Sequence, residues 1–268
     1  MSLTISAAQV DALLANPSSI AGYSSSGPVI ITGAITFTQA NNLNAVDATY
    51  IQATITETTV QNLSGIAVNN SSRASLNKFS IVVSDTSATA AELNAVQALT
   101  SVVVDASNIS SVEASPSSDI ISLITGTVPT GIDSAAISVN DTTVDASDLN
   151  TMDAYTSGTV TTTATTIQGS AVDLHSVVDG GISHETDVAM TLNDTTFAVS
   201  DLLAVNGETS GLITVSASMM TGNITDIGTA YTFNDANPAT QITGLDAINL
   251  TVDAVSTTNP SIANIVTA

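Results

Sequence analysis

Two hydrophobic periodicities alternate along the chain. Runs rich in Thr, Val and Ile read as β-strands: residues 48–60 (ATYIQATITETTV), 78–86 (KFSIVVSDT), 157–167 (SGTVTTTATTI), 188–197 (VAMTLNDTTF) and 210–220 (SGLITVSASMM). Branched side chains suit a pleated, half-buried surface, and the Gly, Asn and Asp at the ends of these runs supply turns. Between them lie short windows with apolar residues at helical spacing, such as Leu93, Val96 and Leu99 in ELNAVQAL. Such short helices hold only by packing. Thr89 with Glu92 and Ser6 with Gln9 have the spacing of a capping box, and Asp145 with Asp148 and Ser170 with Asp173 are weaker versions.

The helical windows recur. Val10, Leu43, Leu93, Leu149 and Leu202 occupy one slot, each preceded by a carboxylate or amide. The copies at Leu43 and Leu202 depart from the box, with Gln39 and Ala198 at the cap position. Around the last two anchors, NDTTVDASDLNTMDAYTSG from Asn140 returns as NDTTFAVSDLLAVNGETSG from Asn193, 53 residues on. At the same offset Ile167 matches Met220, Gly169 matches Gly222 and Asp173 matches Asp226, so each period of roughly fifty residues contains two related half-units. The pattern predicts a mainly β chain with short capped helices in a repeat architecture, either an elongated β-solenoid-like stack or chained small β-rich modules. It predicts divergent N-terminal units over 1–70, central units over 76–238, and a partial repeat with a tail over 239–268. Residues 69–75 (NNSSRAS) and 115–118 (SPSS) are the expected loops or boundaries.

Charge changes the picture most. Of the 268 residues, 24 are Asp or Glu and two are Lys or Arg, for a net charge of −22. Arg73 and Lys78 are the two fixed cations. Such a surface repels nucleic acid and anionic lipid, and no apolar run approaches membrane-spanning length. With so few basic side chains, the carboxylates must meet water, backbone N–H groups, helix N-termini or dissolved cations. Calcium is the candidate ion, because it favours clustered carboxylate, amide and carbonyl oxygens. Asn140, Asp141, Asp145, Asn193 and Asp194 are its candidate ligands. The competing reading is that Asn-Asp makes turns and Asp caps helices.

Candidate catalytic chemistry is sparse. His175 and His184 lack an HExxH-like spacing and read as polar residues on turns. No GxSxG singles out a serine. With an aromatic content of 3% and no Trp, the chain lacks the ring platforms of most sugar-cleaving sites. The chain therefore reads as a non-enzyme. Cys is absent, which excludes disulfides and thiolate metal sites. A face of Thr161, Thr163 and Thr165 raises ice binding, but the corresponding run LITVSASMM, with Val215, Ala217 and Met219, does not repeat the threonine ladder.

At ATAAELNAVQAL, VDASDLNTMDAYTSGTV and TTTATTIQGSAVDLHSVV the text resembles tandem repeats of very large cyanobacterial and other bacterial surface or secreted proteins. The phrase TAAELN also resembles stretches of phage tail fibres. The resemblance covers most of residues 80–230 and implies an extracellular, assembly-forming or adhesive role. MSLTISAAQV has no basic or apolar segment of a signal peptide. Beside the acidic, Thr/Ala-rich body it looks like S-layer-type proteins exported in one step, a class often dependent on calcium.

The expectation is a non-enzymatic structural or adhesive protein at the cell surface or outside the cell, self-assembling as a filament, surface layer or repeat array and exported without a cleaved N-terminal signal. The alternative is a phage tail-fibre or receptor-binding segment, located in a virion. An ice-binding or glycan-active β-solenoid is a minor alternative. The expected partner is the chain itself, with cell-surface glycans as a second class. The terminal PSIANIVTA is a candidate for strand addition to a neighbouring subunit.

Overall fold

Parallel pairing of strands 20 to 30 residues apart organises the described residues. The computed structural model describes residues 2–46, 49–66, 77–236 and 242–253. They divide into two units, Met1–Ser138 with Tyr155–Gly158, and Val139–Ala154 with Thr159–Ala268.

The first unit has strands β1 (Leu3–Ser6), β2 (Val29–Ile35), β3 (Ile51–Ile55), β4 (Lys78–Ser80), β5 (Ser87–Thr89), β6 (Ser111–Ser115) and β7 (Ala136–Val139). Its helices are α1 (Val10–Ala15), α2 (Phe37–Val46), α3 (Val60–Leu63), α4 (Ala90–Gln97) and α5 (Ser117–Thr125). One sheet runs β1-β2-β3-β4, and a second runs β5-β6-β7 within this unit. The registered pairs are parallel, as in Ile5↔Ile31, Ala53↔Phe79 and Ala88↔Val112.

The second unit has helices α6 (Ala146–Tyr155), α7 (Ala171–Asp179), α8 (Val199–Glu208) and α9 (Ile224–Ala236). Its strands are β8 (Thr143–Asp145), β9 (Val160–Thr162), β10 (Thr166–Gly169), β11 (Ala189–Leu192), β12 (Thr196–Ala198), β13 (Ile213–Val215), β14 (Met219–Gly222), β15 (Ile242–Thr243) and β16 (Asn249–Val252). Five of these strands form a sheet in the order β15-β13-β11-β10-β8, and three form another in the order β12-β14-β16. Register steps by 23 residues from Thr143 to Thr166 and from Thr166 to Ala189. It steps by 23 again from Met190 to Ile213 and from Phe197 to Met220.

The mainly β, solenoid-like expectation is overturned. The chain is an α/β fold, with about 35% of the described residues helical and 28% in strands, and with four parallel-strand sheets among them. Parallel neighbours cannot be joined by a hairpin and need a crossover, usually a helix. Each βαβ passage therefore commits to a crossover helix residues that a mainly β chain would leave in short turns. The filament-like repeat protein falls with the same finding. The half-unit is the structural step: buried first-turn residues Leu93, Ile120, Leu149, Leu174, Leu202 and Ile227 mark six successive helices. The 53-residue repeat spans two helix-to-helix intervals, from Leu149 through Leu174 to Leu202.

Burial alternates along the strands, as in β3 (Ile51, Ala53 and Ile55 inside) and β13 (Ile213 and Val215 inside). One sheet face is thus packed, and the helices bury theirs through Leu43, Leu93, Leu149, Leu174 and Leu202. SPSS is not a boundary. Ser115 ends β6 and Pro116 is the N-cap of α5. NNSSRAS, Arg73 and PSIANIVTA lie outside the described residues.

Candidate functional site

Four of the five candidate calcium ligands sit in two equivalent turns, and the fifth, Asp145, ends β8. Asn140 and Asp141 lie between β7 and β8, and Asn193 and Asp194 lie between β11 and β12, so NDTT is an inter-strand turn both times. Asp194 Oδ2 accepts a hydrogen bond from Ala171 N at 2.5 Å, at the first residue of α7. Asp145 Oδ1 accepts from Gln168 Nε2 at 2.8 Å, from the neighbouring strand. Asn140 and Asp141 also interact within the fold. Asp148, one turn into α6, has its carboxyl held above the usual carboxylate range by burial, then by Asp145 and Asp141. The structure therefore brings Asp141, Asp145 and Asp148 into one field and gives Asp194 a separate duty. Among the described residues no three His, Asp or Glu side chains converge as a metal ion requires.

Capping from the next step is a general device. Phe37 N donates to Glu57 Oε2 at 2.9 Å, Val60 N to Asp85 Oδ2 at 2.8 Å, and Ala90 N to Ser115 Oγ at 3.0 Å. Each helix start is thus satisfied by a side chain 20 to 25 residues on. A helix N-terminus attracts carboxylates because its first N–H groups lack helical partners and its dipole end is positive. Local boxes add to this. Thr89 Oγ1 accepts from Glu92 N at 3.2 Å, and Glu92 Oε2 accepts from Thr89 N at 2.9 Å. Ser170 Oγ accepts from Asp173 N at 3.0 Å. Thr36 and Gln39 form a reciprocal box at 3.2 and 3.1 Å. The cap of α2 is therefore Thr36 rather than Gln39, and the Leu43 copy is offset by about one turn. Ala198 offers no side-chain cap, as its sequence implies.

The recurring TSG has a packing explanation. Thr156 Oγ1 donates to Ala135 O at 2.6 Å and accepts from Gly158 N at 2.9 Å. Thr209 repeats this with Val188 O at 2.6 Å and Gly211 N at 2.9 Å. A Cβ at Gly158 or Gly211 would collide with the same carbonyls. The phrase joins neighbouring steps through one buried hydroxyl.

Three further features are invisible to sequence spacing. A cavity of about 650 Å³ in the first unit is lined by Val60, Val96 and Leu99 together with Asp85, Glu92 and Glu113. The three carboxylates already hold Val60 N, Thr89 N and Ser87 Oγ respectively. His175 is helical rather than on a turn, and contacts Asp179 and Asp201. Lys78 Nζ sits 4.7 Å above the ring centroid of Tyr50, a cation–π pair.

β16 is an edge. Its one strand neighbour among the described residues is β14, paired through Met220↔Leu250 and Gly222↔Val252. All four of its residues are exposed, Leu250 by 45% and Val252 by 39%. Among the described residues no helix is long and apolar enough to cross a membrane. Comparison of the chain with protein-family models, curated protein sequences and solved structures finds no match.

Proposed function

We propose that the chain is a non-catalytic structural or adhesive protein that works outside the cell by associating with copies of itself in a surface layer or array. The observation that carries this reading is β16, an edge strand with Leu250 and Val252 exposed. An open edge presents unpaired N–H and C=O groups, a template for another strand, and exposed apolar side chains favour its being covered. β16 also lacks the protective lysines and prolines that block edge-to-edge pairing. The composition supports an exterior setting through its association with Thr-rich, Lys-poor, Cys-free surface proteins.

Calcium enters this proposal as a counter-ion near Asp141, Asp145 and Asp148, where burial first, and then Asp145 and Asp141, raise the proton affinity of Asp148. A divalent cation relieves such a field.

Light scattering coupled to size exclusion tests the reading over a wide concentration range, with calcium and with EGTA. The expected result is a mass that grows with concentration, reduced to the monomer by Leu250→Lys. A strict monomer at every concentration overturns the proposal, and a discrete three-fold species redirects it to a fibre segment. Equal melting temperatures with calcium and with EGTA would remove calcium from it.

A further inference from the structure

His175 lies in the middle of α7, and both of its ring nitrogens face carboxylates. Nδ1 is 2.9 Å from Asp201 Oδ1 on α8, and Nε2 is 3.1 Å from Asp179 Oδ2 one turn further along α7. A neutral imidazole has a single N–H. It can donate to one of these carboxylates and must direct a lone pair at the other. The imidazolium donates to both. The arrangement is matched to the protonated ring.

The charge around the ring has one sign. α7 packs on α8, β10, β11 and β12. The three strands carry no charged residue, α8 carries Asp201 and Glu208, and α7 carries Asp173 and Asp179. The β11–β12 turn adds Asp194 at the α7 N-terminus, and α6 adds Asp153 beside Gly180. The two contacts differ in weight. The Asp201 side chain is 18% exposed and that of Asp179 is 74% exposed. Solvent screens the second contact far more than the first, so the link between helices outweighs the link within α7. The site 53 residues on is Gly228 in α9, so the contact is specific to the α7–α8 pair.

We propose that His175 is an acid-dependent clamp between α7 and α8. Protonation closes two charge-assisted hydrogen bonds. Deprotonation forfeits one and sets a lone pair against an anion. The stabilisation is therefore present at low pH and lost as pH rises.

Melting of wild type, His175→Gln and Asp201→Asn at about pH 5 and about pH 8, on either side of the ordinary imidazole range, tests the clamp. The other carboxylates are common to wild type and His175→Gln, and cancel in the comparison. The expected wild-type advantage over His175→Gln is about 2–4 °C at the lower pH and close to zero at the higher. In the Asp201→Asn background the His175→Gln substitution should lose that pH dependence. An advantage of equal size at both pH values overturns the proposal, as does its absence at the lower one. Should a variant fail to fold, wild-type amide exchange in α7 and α8, corrected for intrinsic rates, decides instead. Greater protection at the lower pH supports the clamp, and unchanged protection overturns it.

Discussion

Asp148 shows how single residues bear the cost of an acidic composition. Burial and the nearby Asp145 and Asp141 hold its carboxyl above the usual range, against the favourable field of the α6 N-terminus. A raised pKa in the folded state means that folding favours the protonated form. The ionised side chain therefore costs stability above that pKa, and the cost disappears as pH falls below the unfolded value. Asp148→Asn should raise the melting temperature near neutral pH, by a gain in stability of no more than about 1 kcal/mol. The gain should shrink toward acid pH, which melts across a pH series measure. Asp105 is the reverse case, because the Ser107 backbone N–H holds its carboxyl below the usual range. Local text reveals Thr89 with Glu92, since both partners lie within one turn. It does not reveal the Asp194 cap, whose partner Ala171 is 23 residues away.

At the scale of elements, helix starts depend on the following step. α7 has Ser170 as its own cap and Asp194 on the N–H of its first residue. Asp194→Ala removes that acceptor while leaving the Ser170 cap, and should cost about 1 kcal/mol. Asp194→Asn should restore much of it. Denaturant melts give the magnitude, and faster exchange at the α7 start locates the change. Amides on the helices do related work. Asn94 Nδ2 donates to Asp119 O at 2.9 Å and Asn150 Nδ2 to Asp173 O at 3.0 Å, so each ties one helix to the next. The Leu-Asn pairs at 93–94 and 149–150 thus carry a core anchor and a lateral link side by side. The strand runs were legible because burial alternates along them. Their parallel direction was not, because alternation is the same for either direction.

For the whole molecule, the balance of −22 sets how copies meet. Like charge opposes association over roughly a Debye length, about 10 Å at 0.1 M salt. If Leu250 and Val252 drive contact, raising ionic strength should strengthen self-association, and sedimentation across a salt series reads this directly. Weakening with salt would point to charged contacts instead. By itself the sequence determined the acidic surface, the small aliphatic core, the turns at NDTT, the Thr89–Glu92 cap and the burial of Leu149 and Leu202. These follow from composition or from partners within one turn. Only the tertiary structure decided that the strands pair in parallel, several of them at 23-residue steps, that helix outweighs strand, that Asp194 caps α7 and that His175 bridges to Asp201. Those outcomes depend on which residues distant in sequence become neighbours, and the periodicity of one segment carries no record of the segment packed against it.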